Sequence, residues 1–259
     1  MPNKLPIINI PELPDSVDNA LKNLSDEPTK NIGHTFGDIW YLVFGGISQA
    51  ADKRRMKYAA ELEQYHQELS LAIEQIPDTK KISPSIQVTA QALENSKYCV
   101  SSEVLRNMFV KLISGTMNHD FESHIHPSFP ETIKQMSEND ALFIKAMKKH
   151  KDIPIATIGL NYQQGGFHVS VKDVCVIPGL QLSIEECCVS MSALVKFGFL
   201  ETTYTEWFSD DSSYSLIRGT SCYSAIDAKS KTTGRDVHFK KGICRLTPLG
   251  SEFVISCVV

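Results

Sequence analysis

The chain has 259 residues, of which 42% are hydrophobic and 22% charged, with a net charge of −4. This is ordinary globular composition, long enough for one large domain or two smaller ones with a sizeable core. The charge is −5 over residues 1–138 and +1 over the rest, which gives no global pull toward nucleic acid or an anionic membrane.

The first 30 residues contain five prolines and no sustained hydrophobic period. They are expected to form an extended arm with at most a short helix around "VDNALKNL". They also lack the basic-then-apolar layout of a signal peptide. The seven cysteines (99, 175, 187, 188, 222, 244, 257) include no CxxC pair and no spaced ligand set. A reduced, cytoplasmic protein without disulfides, structural zinc or any other cofactor is expected.

The segment "GDIWYLVFGGI" has nine apolar or glycine residues from Ile39 to Ile47. That is well short of the roughly twenty needed to span a bilayer, so it is read as a buried helix followed by a break. A second reading makes it an interfacial element, with Trp40, Tyr41 and Phe44 in lipid and Lys53, Arg54 and Arg55 on headgroups. Membrane association is not the expected outcome, because apolar core runs are far commoner.

From Gln49 to Ile76 the spacing of Tyr58, Leu62, Tyr65, Leu69, Ala72 and Ile76 predicts one long helix ended by Pro77. Ser83-Pro84 reads as an N-cap and first-turn proline of a helix through about Asn95. Ser102 opens another, with Val104, Leu105, Met108, Phe109, Leu112 and Ile113 on one face and a stop at Gly115.

Then comes "TMNHDFESHIHPSFPETIKQM", which packs His119, His124 and His126 with Asp120 and Glu122 into eight positions. The histidines are the candidate metal ligands, with zinc-bound cysteines as the lesser alternative. HExxH spacing and an evident further ligand are missing, so a structural corner between helices is expected. Short helices follow in "PETIKQM" and "SENDALFIKAMKKH", the latter with a Ser137-x-x-Asp140 capping box.

Beyond residue 150, "IPIATIGL" and "FHVSVKDVCVI" read as strands around a Gly165-Gly166 turn. A second capping box, Ser183-x-x-Glu186, opens a helix closed by Gly198. A long excursion from Tyr204 to Gly242 carries turn residues and β-prone pieces, "YSLI" and "DVHF", before the closing "CRLTPLGSEFVISCVV". Helix, hairpin, strand and terminal helix in that order resemble a winged helix. The excursion is locally basic through Lys229, Lys231, Arg235, Lys240, Lys241 and Arg245, the candidate phosphate contacts. The helix that would enter a major groove presents Glu185 and Glu186 and no base-reading arginine, so nucleic acid is the second choice of partner. No GxxxxGK[ST], GxSxG, HExxH or Arg-x4-6-His pattern is present, and no catalytic residue is assigned.

The order "KNIGHTFGDIWYLVFGG", long helix, "HIHPSFPETIKQMSENDALFI", "ALVKFGFLE" and "LTPLGSEFV" resembles the Abi-alpha family of bacterial abortive-infection proteins, from about Pro28 to Cys257. The His126-Pro127-Ser128-Phe129 element is its most specific part. The resemblance implies a role in phage defence and supplies no catalytic residues. The expected fold class is α+β: an arm over 1–30, a helical bundle over 31–150, and a winged-helix-like α/β domain with a long wing insertion over 151–259. The expected partners are a phage or host protein and a second copy of the chain.

Overall fold

The computed structural model describes residues 53–259, except the side chains at 53–56 and 86, together with Trp40, Val43 and Phe44. The expected arm, Tyr41 and the side chains of Lys53, Arg54 and Arg55 therefore lie outside the described residues, as does the predicted start of the long helix at Gln49. The fold is α+β, with helices packed around a four-stranded antiparallel sheet.

From residue 53 onward, six α-helices precede the sheet: α1 (Lys53–Glu74), α2 (Ile86–Ser96), α3 (Glu103–Gly115), α4 (His119–Glu122), α5 (Phe129–Gln135) and α6 (Glu138–Met147). Helix α3 is central to them. Its Leu105, Met108, Phe109, Leu112 and Ile113 are buried, the face that the sequence periodicity marks. Tyr65, Leu69 and Ile73 of α1 pack into the same cluster. Phe44 belongs there too. It is 2% exposed and lies 4.2 Å from the Trp40 ring, with Tyr65 at its edge.

Helix α2 begins two residues later than the Ser83-Pro84 signal places it. Lys81 forms a bridge with Asn118, and the Ile82 amide donates to the Met117 carbonyl at 3.0 Å. That non-local pairing holds the chain extended through the position where the local signal would start a helix.

The sheet contains β1 (Asp152–Asn161), β2 (Phe167–Val174), β3 (Leu200–Thr203) and β4 (Val237–Leu246) in the order β2-β1-β4-β3. Gly165 and Gly166 both take positive φ in the β1–β2 hairpin, the backbone that favours glycine. Strand β1 is covered on both faces: Ile153 and Ile155 join the helical core, while Ala156, Ile158 and Leu160 enter a second cluster. The first core is continuous from α1 to the closing helix α10 (Pro248–Cys257) and takes in Met191 and Leu194 of α7 (Ile184–Lys196).

The stretch between β3 and β4 departs from expectation. "YSLI" is not a strand: Tyr214 ends a 3-10 turn (Asp211–Tyr214), and α8 (Ser215–Arg218) follows directly. The buried Tyr214 hydroxyl donates to the Gly242 carbonyl at 3.0 Å and accepts from the Phe208 amide at 3.1 Å, pinning the segment beneath the sheet. Helix α9 (Ser221–Thr233) follows, capped by the Thr220 side chain and closed by Gly234 at φ +63°. "DVHF" does enter a strand, at the start of β4.

Candidate functional site

The histidine corner is held by a helix cap, an ion pair and a histidine–serine turn. Asn118 caps α4 by accepting from the Asp120 amide, and Lys80 pairs with the Asp120 carboxylate. His126 Nδ1 accepts from the Ser128 amide and meets Ser128 Oγ at 2.7 Å. His124 turns elsewhere: its Nδ1 lies 2.6 Å from Glu252 Oε2 on α10, and its carbonyl accepts from Ser256 Oγ. His119 is exposed on α4. The three imidazoles therefore have separate surroundings, and among the described residues no three His, Cys, Asp or Glu side chains gather in metal-ligating geometry.

The six basic residues of the excursion are divided in the same way. Lys231 pairs with Asp227 at 2.8 Å one turn earlier on α9. Lys241 pairs with Asp211, which also receives Arg218 at 3.0 Å. Arg245 faces three acids: Asp152 at 3.0 Å, Glu206 at 2.6 Å and Glu201 at 3.8 Å. Arg235 lies over the Tyr162 ring and Lys240 over the Tyr204 ring. Lys229 is exposed on α9. Half of the set already faces carboxylates, and the rest stands on different elements.

Residue spacing alone did not reveal other buried polar groups. Arg106 is 5% exposed and donates from Nε and Nη2 to Glu68 at 2.7 and 3.0 Å, and from Nη1 to the Val100 carbonyl at 2.9 Å. Burial would raise the Glu68 carboxyl, but the Arg106 hydrogen bonds and one from Gln64 outweigh it and hold the group below the usual carboxylate range. Glu68, Asn107, Lys111 and Phe121 line a groove of ≈ 570 Å³ along α1 and α3.

The cysteines are free and mostly buried. Burial pushes Cys99 and Cys188 up to about 11 and Cys244 up to about 12, while its hydrogen bond to Cys187 and burial push Cys175 well up. Those four remain thiols at neutral pH, a poor state for a nucleophile. His238 stacks on Phe167 at 3.8 Å, and burial with Lys240 nearby holds it below its ordinary value.

The family model for abortive infection alpha matches residues 57–257. The chain belongs to the Abi-alpha family. Abi-alpha membership covers most of the chain, including both capping boxes, the histidine corner and the sheet, and it carries a role in abortive infection, a form of phage defence. Comparison with curated proteins and with solved structures gives no match. Among the described residues no helix is long and apolar enough to cross a membrane.

Proposed function

We propose that this protein is a cytoplasmic antiphage protein that acts by binding and conformational response, without a reaction of its own. The family match over residues 57–257 carries the defence reading. The binding reading draws support from the dispersed histidines and the thiols held protonated by burial. In this reading residues 151–259 work as a winged-helix-like unit with a long insertion, after a helical unit over 31–150 and the arm. The succession of α7, β3 and β4 supports that assignment. Membrane association is not part of the proposal, since the buried Phe44 side chain would have to leave the core to reach lipid.

Nucleic-acid binding is the second reading, favoured by one observation. Tyr162 and Phe167 are 47% and 46% exposed at the β1–β2 hairpin, with Arg235 against Tyr162, a pairing of rings and cation suited to stacked bases. The commitment of Lys231, Lys241 and Arg245 to carboxylates weighs against it.

Plating diverse phages on a host with and without the gene, with growth followed at low and high multiplicity, tests the defence reading. Protection at low multiplicity with collapse of the culture at high multiplicity is expected. Unchanged plating across the panel would overturn it.

A further inference from the structure

Helix α7 turns Cys187, Ser190, Met191 and Leu194 into the core. Its opposite stripe, Glu185, Val189, Ser192 and Lys196, is exposed along its whole length, and Val189 is 69% exposed. Apolar residues four, three and four apart form the seam of a coiled pair; this stripe keeps the spacing with Val189 as its one apolar member, and its charged ends supply the complementarity. The residues flanking the seam are small or medium-sized: Cys188 and Val195 on one side, Ala193 with Glu186 on the other. Glu186 is already engaged by Ser183 and Asn139. Glu185 and Lys196 have no ion pair within the described residues. The Ser192 hydroxyl already donates to the Cys188 carbonyl at 2.9 Å, so burying it leaves no unmet donor.

The stripe is complementary to itself when reversed. Laid antiparallel about a twofold axis, Glu185 meets Lys196 of the second copy, Val189 meets Ser192, and both contacts recur across the axis. The helix dipoles then oppose each other, and acid at the N-terminal end faces base at the C-terminal end. A parallel pairing would set Glu185 against Glu185 and Lys196 against Lys196. We propose that two copies of this chain associate through antiparallel α7 helices, with Val189 and Ser192 at the centre and Glu185–Lys196 pairs at both ends.

The pairing names one partner within the binding reading above and rests on that reading only for its biological purpose. A single pair of 13-residue helices covers less than the roughly 800 Å² per partner of a standard interface, so the dimer is weak and concentration-driven.

Sedimentation velocity on the full chain, from about 1 to 300 μM, should show a monomer–dimer equilibrium. Glu185→Lys and Lys196→Glu should each weaken it by about tenfold, because attraction becomes repulsion at both ends. The double exchange Glu185→Lys/Lys196→Glu should restore it. A zero-length carbodiimide cross-link supplies a check on the unmodified protein. Within one helix Glu185 and Lys196 are about 16 Å apart, so an amide between them can form only between copies. A monomer at every concentration, a dimer lacking that amide, single reversals without effect, or a folded double exchange that fails to restore the dimer would each overturn the proposal. If a variant does not fold, the wild-type cross-link decides. These readouts are hydrodynamic and chemical, so their failure is distinct from failure of the infection assay.

Discussion

Arg106 places a buried charge in the helical core. It is 5% exposed, and its charge is answered by Glu68 and the Val100 carbonyl. Removing Glu68 strands a buried guanidinium, so Glu68→Ala should lower stability by about 3 kcal/mol, while Glu68→Leu with Arg106→Met should cost less than the two single changes added together. Chemical denaturation of the four proteins measures this coupling. The pair also sets a pH response. Because the folded Glu68 carboxyl lies below its unfolded value of 4.5, the stabilisation is fully present above that value and is lost as pH falls through the folded one. Thermal melts of wild type should therefore drop more steeply below about pH 4.5 than those of Glu68→Gln. At the histidine corner, His124→Ala with His126→Ala removes the contacts to Glu252 and Ser128 and should cost about 1 to 2 kcal/mol. Elemental analysis should give no stoichiometric zinc or manganese in the parent protein; about one metal per chain, lost in the double variant, would contradict the structural assignment.

Helix ends decide much of the architecture, and they explain what the sequence made legible. In both capping boxes, Ser137 with Asp140 and Ser183 with Glu186, the side chain and backbone bonds are made in both directions. A capping box depends only on residues three apart, so it can be recognised without knowing the fold. Ser183→Ala should destabilise by about 1 kcal/mol, measurable as a lowered denaturation midpoint. Gly250 marks a different constraint. A Cβ there would lie 2.0 Å from the Phe199 carbonyl oxygen, which also accepts from the Thr247 amide, so Gly250→Ala should cost about 3 kcal/mol or more. The Gly165-Gly166 turn, the α3 face and the α7 stop at Gly198 were equally legible, since each is a short-range pattern. The start of α2 was not, because the Lys81–Asn118 bridge reaches across 37 positions. Helix α9 was missed for another reason. It buries only Ile226 and so lacks an apolar period, although Thr220 and Gly234 carried its cap signals. The Arg245 cluster gathers acids from two separated segments, Asp152 on β1 and the stretch from Glu201 to Glu206, and no spacing rule reaches that far.

At the scale of the whole molecule, the sheet is covered on both faces around β1, and one apolar core joins it to the helices. Charge is distributed over that body so that acids near β3, β4 and the 3-10 turn answer the bases of the excursion. Replacing Lys241 or Arg245 would therefore disturb folding as well as any ligand, whereas Lys229, Arg235 and Lys240 can be changed to alanine without breaking an ion pair. That triple variant should keep its melting temperature and its phage protection. The central claim, that the protein works through protein contacts and not through nucleic acid, is tested most directly by fluorescence anisotropy with duplex DNA and with RNA over a salt series. Affinity weaker than about 10 μM at physiological salt, with the triple variant indistinguishable from wild type, is the predicted result. A sub-micromolar isotherm that weakens steeply with salt on either substrate, flattened by the three alanines, would contradict it.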